Sequence, residues 1–127
     1  MKNAVNWFEI YTSNFKRAKK FYTEVFQCEL TDIPVNNERH AQMEYAAFAG
    51  DHINEGARGA LVKLDVAKPG VGGTLVYFNS EEINAELSRV QAGGGKIIRP
   101  KQAIGDLGYI ALIEDTEGNM VGLRSMK

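Results

Sequence analysis

The sequence predicts an α+β protein built from two tandem βαβββ modules forming a shared curved-sheet cleft, and three observations predict it. A β-like run followed by an amphipathic helical pattern occurs twice. Trp7-Phe8-Glu9-Ile10-Tyr11-Thr12-Ser13 can be laid over Thr74-Leu75-Val76-Tyr77-Phe78-Asn79-Ser80, strand on strand and cap on cap, which marks an internal repeat. The chain also closes on a hairpin pattern, an apolar run into Asp115-Thr116-Glu117-Gly118-Asn119 and out again, where Asp, Gly and Asn suit the turn backbone. Four strands curved around one helix cannot bury both faces alone, so two such modules should share a core or cleft.

The elements follow in order. Val5 to Thr12 has the β-branched and aromatic content of a strand, with Trp7, Glu9 and Tyr11 on one face. Ser13 is the expected N-cap of a helix in which Phe15, Ala18, Tyr22, Val25 and Phe26 recur near helical spacing. Gln27 to Ile33, Gln42 to Phe48 and Ala60 to Val66 read as three further strands, with a polar turn at Asn36–Arg39 and a loop at Gly50–Gly59. Lys68-Pro69-Gly70-Val71-Gly72-Gly73 is the linker, since Pro and three glycines interrupt any regular element. Module one is thus expected over about 4–67 and module two over about 74–124. In module two, Thr74–Phe78 is a strand and Ile83, Leu87 and Val90 form a helical stripe ended by Gly93-Gly94-Gly95. Lys96–Arg99, a connection from Pro100 to Leu107 and the closing hairpin complete it.

Bulk composition excludes several classes. At 127 residues the chain is one domain or two half-size modules around one core. A net charge of −1 leaves no cationic excess to neutralise phosphates, which argues against nucleic acid as a partner; Lys16, Arg17, Lys19 and Lys20 read as a solvated helix face. The single cysteine, Cys28, excludes an intrachain disulfide and a cysteine-rich zinc site, and its apolar neighbours suggest an inert buried thiol. There is no apolar leader and no stretch near 20 apolar residues, so no membrane association and a cytoplasmic location are expected.

Three motifs together resemble the vicinal oxygen chelate superfamily, the glyoxalase, bleomycin-resistance and extradiol-dioxygenase proteins. They are Ser13-Asn14-Phe15-x-Arg17-Ala18-x-x-Phe21-Tyr22-x-x-Val25-Phe26, then Ala92-Gly93-Gly94-Gly95-Lys96 with Pro100-Lys101, then Asp115-x-Glu117-Gly118-Asn119. The resemblance implies the duplicated βαβββ fold, a homodimer and, in the metal enzymes, one ligand from each of four strands. Carried over position by position, those ligands fall on Trp7, on Thr74, near Lys63 and on Gly122, none a usual metal ligand. His40 and His52 lie in or near loops and read as surface or structural histidines. No family-type metal and no cofactor are therefore expected, which argues against glyoxalase I or extradiol dioxygenase chemistry.

The strand alternation then places Trp7, Glu9, Tyr11, Leu61, Lys63, Thr74, Val76, Phe78, Met120, Gly122 and Arg124 toward the cavity. This aromatic and apolar wall suits a small molecule; Lys63 and Arg124 would favour an anionic ligand, and Glu9 is the candidate acid–base group if buried against Trp7. Structural roles remain open beside these: Trp7 as core filling, Glu9 with Lys63 as an ion pair, Arg124 as a frayed terminal side chain. The functional alternatives are a metal-dependent lyase (lactoylglutathione lyase-like) or dioxygenase with non-standard ligands, a drug-sequestering resistance protein, and a dimerisation module. Homodimerisation also follows from sheet edges and an apolar cleft that a second copy can cover.

Overall fold

The computed structural model describes residues 5, 7–34, 43–51, 56–65, 67–72 and 74–127. Module one runs β1 (Trp7–Tyr11), α1 (Phe15–Phe26), β2 (Leu30–Asp32), β3 (Glu44–Phe48) and β4 (Arg58–Lys63). Module two repeats the order as β5 (Tyr77–Asn79), α2 (Ile83–Val90), β6 (Lys96–Ala103), β7 (Tyr109–Glu114) and β8 (Met120–Ser125). Each forms a four-stranded sheet, ordered β1-β4-β3-β2 and β5-β8-β7-β6, with the outer first strand parallel to the last and the rest antiparallel. The expected α+β duplication is what the chain adopts.

Both helices form where the apolar spacing placed them, and they bury Ala18, Phe21, Tyr22 and Val25 on α1 and Ile83, Leu87 and Val90 on α2. One apolar core joins these side chains to Ile10, Phe48 and Leu61 of module one and to Ala111, Ile113, Val121 and Leu123 of module two. The modules therefore meet through their helix-side sheet faces. Phe78 is the module-two ring that penetrates furthest into module one: it lies 5.6 Å from Phe8, 5.9 Å from Tyr22, 4.6 Å from Phe26 and 5.6 Å from Phe48.

The closing hairpin binds the modules by polar contacts. Asp115 Oδ1 accepts from the backbone N–H of Glu117 and Asn119 at 2.8 Å each, which fixes the turn. Its Oδ2 accepts from the buried Tyr22 hydroxyl at 2.8 Å and from the Asn119 amide. Glu117 reaches the start of α1: Oε1 accepts from the N–H of Ser13 at 3.0 Å and of Asn14 at 2.7 Å, and Oε2 accepts from Arg17 Nε at 2.8 Å. A carboxylate at a helix N-terminus satisfies amides that the helix itself leaves free. Burial alone would raise the Glu117 pKa, but Arg17 and these amides outweigh it and hold the carboxyl at about 2. Asn119 extends the link, donating to the Tyr11 carbonyl at 2.8 Å and accepting from the Gly70 N–H at 2.7 Å in the segment between the modules.

Several boundaries differ from expectation for local reasons. The first N-cap is Asn14, not Ser13: its side chain accepts from Arg17 N–H, while Ser13 donates to Glu117. Arg17 is an ion-pair partner rather than a merely solvated cation. β6 continues through Pro100, which was expected to begin a connection; as an edge strand with register shifts it tolerates the missing N–H. β5 occupies Tyr77–Asn79, later than the expected Thr74–Phe78.

A seam cavity as the candidate functional site

That late start matters, because a strand's alternation turns every side chain over when the register slips by one. Thr12 N–H donates to the Val62 carbonyl, and Ser80 N–H makes the same bond to the Arg124 carbonyl. Thr12 therefore matches Ser80, and Trp7, Glu9 and Tyr11 match Leu75, Tyr77 and Asn79, one residue beyond the sequence alignment. Trp7, Glu9 and Tyr11 do share the open face of sheet one, as expected. In module two it is Tyr77 and Asn79 that share a face with Gly122 and Arg124 by register, whereas Phe78 pairs with the buried Leu123 on the helix side.

The same register corrects module one's last strand. Leu61 pairs with Ile10 and is fully buried in the core, so it is not on the open face. Lys63 follows the same parity and pairs with Glu44, so the expected Glu9–Lys63 partnership does not form. Glu9 is exposed rather than buried against Trp7. Its oxygens accept from the hydroxyls of Tyr11 at 3.2 Å and Tyr45 at 2.9 Å, and Tyr45 accepts from Trp7 Nε1 at 3.1 Å. Arg124 is exposed on sheet two, donating from Nε to the Leu107 carbonyl at 3.1 Å. Thr74 and Met120 border a small separate depression of about 270 Å³ beside the segment between the modules. The expected site residues are thus distributed over four places: the open face of each sheet, the core side and this depression.

The larger cavity, about 670 Å³, lies at the seam of the modules. Its wall is the aromatic cluster Phe8, Phe26 and Phe48 of module one with Tyr77 and Phe78 of module two. Cys28 also lines it, and burial pushes the thiol up, away from thiolate chemistry. Polar atoms come from Asp51, Asn79 and Arg58 at the rim. Arg58 Nε is buried and has no hydrogen-bond partner among the described residues. A buried guanidinium N–H left unpaired is costly and is the kind of group a ligand acceptor satisfies. Sequence reasoning missed this site because it is assembled from core-facing rings and from the ends of the Gly50–Gly59 segment, which carry no periodic signal.

The metal positions implied by the superfamily can be tested on this geometry. The place of Trp7 is matched in module two by Leu75, and the place of Gly122 is matched in module one by Ala60. An indole donates only, and the other three side chains have no ligand atom, so these positions do not fit the metal. Among the described residues no group of three or more His, Cys, Asp or Glu is gathered for an ion; His40 and His52 lie outside the described residues. Nor, among the described residues, is any helix long and apolar enough to cross a membrane.

Residues 4–123 match the Glyoxalase/Bleomycin resistance protein/Dioxygenase superfamily. The chain belongs to this superfamily. It is 28% identical over 120 residues to the protein named "Putative glyoxylase CFP32" of Mycobacterium tuberculosis, covering 93% of this chain and 44% of that protein. The chain thus spans less than half the length of the curated relatives it matches. Among solved structures, TnmS3, an antibiotic binding protein from Streptomyces sp. CB03234, superposes with a TM-score of 0.68 at 23% identity, covering 98% of both chains. A superfamily domain from Frankia sp. EAN1pec gives 0.70 at 13% identity with both chains fully covered. A glyoxalase I mutant from Zea mays gives 0.71 at 16% identity, covering 95% of this chain and 45% of that one. These likenesses establish the fold.

Proposed function

We propose that this superfamily member binds a small molecule with an aromatic or aliphatic body and one anionic group, without a metal of the superfamily's usual kind. The observation that carries the reading is the unpaired, buried Arg58 Nε at the rim of an aromatic cavity of about 670 Å³. That volume suits a compact metabolite or drug-like ligand. Rings such as Phe8, Phe48 and Phe78 remove its apolar body from water, while the fork of Arg58 takes a carboxylate with directional hydrogen bonds. The anion is thus assigned to Arg58 rather than to Lys63 or Arg124.

Binding without chemistry is supported over a lyase or dioxygenase reaction by the donor chemistry at Trp7, Leu75, Ala60 and Gly122, none of which can hold the ion. One solved structure of this fold is of an antibiotic binding protein, so sequestration of a drug is compatible with the same cavity. A homodimer belongs to the proposal, since each sheet leaves an open face with exposed rings, Trp7 on one and Tyr77 on the other; light scattering on a sizing column tests it.

The functional test is a thermal-shift screen with phenylacetate, benzoate, their amides and the matching amines. The acids should stabilise the protein and the amides should do so much less, because the amide lacks the charge. Equal stabilisation by acid and amide would contradict an anion site. Elemental analysis after incubation with nickel, zinc, manganese or iron tests the metal-free part. Stoichiometric retention would overturn it and turn attention to His40 and His52.

A further inference from the structure

We infer that the seam cavity is shaped for an acylated α-amino acid with an aromatic side chain, held by the free edge of β5 as well as by Arg58. The inference rests on the anion reading above and narrows its ligand class. Five consecutive residues, Leu75, Val76, Tyr77, Phe78 and Asn79, line the cavity. Side chains along a strand alternate between its faces, so an unbroken run of lining residues means that the cavity meets β5 edge-on. β5 is the outermost strand of its sheet and pairs only with β8 among the described residues. The Val76 carbonyl accepts from the Gly122 N–H, and the Ser80 N–H donates to the Arg124 carbonyl. Residues 76, 78 and 80 therefore turn their backbone groups inward to β8, and Tyr77 and Asn79 turn theirs outward. Among the described residues, no backbone hydrogen bond outside the sheet ladders reaches Tyr77 or Asn79.

A residue that adds to such an edge in the parallel sense uses one strand carbonyl and the N–H two positions further on. On β5 these are the Tyr77 carbonyl, which accepts the ligand's amide N–H, and the Asn79 N–H, which donates to its carboxylate. Arg58 sets this polarity. Asn79 Nδ2 lies 3.2 Å from where a Cβ on Gly56 would sit, so the end of β5 stands beside the segment that leads into Arg58. A carboxylate placed there meets both the Asn79 N–H and the unpaired Arg58 Nε, and the acyl end points back toward Leu75. In this register the ligand residue stands opposite Phe78, and residues paired across strands project to the same face. Phe78 lies among Phe8, Phe26 and Phe48. An L side chain therefore enters the aromatic wall, where a ring gains tilted and edge contacts, whereas a D side chain turns to the open face. β1 offers no second edge of this kind: among its described residues only Phe8 lines the cavity, and the Tyr11 carbonyl is taken by Asn119.

Calorimetric titration of three ligands into the native protein isolates the role of the edge. N-acetyl-L-phenylalanine carries the ring, the carboxylate and the N–H. The acetate ester of L-3-phenyllactic acid replaces that N–H by oxygen, and N-acetyl-D-phenylalanine inverts the side chain. The L-amide should bind about tenfold more tightly than the ester, the loss expected when a desolvated strand carbonyl is left without a donor. It should also bind at least about fivefold more tightly than the D-amide. Arg58→Met should weaken the L-amide and the ester by the same factor, because the two differ only where they meet β5. Equal affinity of amide and ester, or of L and D forms, would overturn this inference and leave the anion site standing, as would binding of phenylacetate but of none of the three. Failure of all four acids to bind would overturn both.

Discussion

Two of the polar places where module one meets module two could hardly differ more in their hydrogen bonding. At the hairpin, Asp115, Glu117 and Asn119 spend their oxygens on Tyr22, on the start of α1 and on their own turn. At the seam cavity, Arg58 keeps a buried Nε with no partner among the described residues. The first is a closed network and the second is an open one. A closed buried network fixes a structure, whereas an open one is where a native protein departs from full satisfaction and so invites a ligand. The most family-like motif in the chain is thus the one that holds the modules together, and the proposed binding chemistry lies where no motif points.

The comparison can be broken most sharply by substitutions at the closed end. Phe78→Ala removes the ring that module two inserts among Phe8, Tyr22, Phe26 and Phe48, and should cost about 3 kcal/mol in urea unfolding. Because Phe78 also lines the cavity, this variant should lose ligand stabilisation as well. Glu117→Ala should cost about 2–3 kcal/mol, since it strands two amides at the start of α1 and the Arg17 guanidinium. A loss below about 0.5 kcal/mol would show that the hairpin contact is incidental.

A smaller effect should appear in acid. The Glu117 carboxyl ionises more readily folded, at about 2, than unfolded, near 4.5. Its stabilisation is therefore complete above the unfolded value and is lost as pH falls toward the folded one. The amount is about 2 kcal/mol after allowance for solvent screening at Arg17, which is half exposed. Asp115 works in the opposite sense, because burial raises its pKa above the ordinary value despite the donors around it; its favourable contribution is present at low pH and is lost as pH rises. Urea midpoints between pH 5 and 2.5 should fall in the native protein, and the fall should be visibly flatter in Glu117→Gln.

Much of the fold was legible because its signals are periodic. The stripes Ala18, Tyr22, Val25 and Ile83, Leu87, Val90 face the core as their spacing required, and the alternation in β1 put Trp7, Glu9 and Tyr11 on one face. Module two failed at a single step. Ser13 and Ser80 attracted each other in the alignment, yet Thr12 and Ser80 share the same backbone bond, so the face inferred for β5 was the wrong one, while Gly122 and Arg124 kept theirs. Arg58 and Tyr45 were illegible for another reason. Their importance comes from what the fold leaves unpaired or brings alongside across strands, which no residue spacing records. Arg17 and Glu117 carry such a long-range meaning too, a hundred positions apart in the chain.

The most direct test of the account is calorimetric titration of phenylacetate into the native protein and into Arg58→Met. The native protein should bind saturably, and Arg58→Met should bind at least about tenfold more weakly with an unfolding midpoint close to the native one. Binding that survives the loss of Arg58, or a variant whose fold collapses with its affinity, would contradict the assignment of Arg58 as a ligand group held apart from the contacts that stabilise the chain.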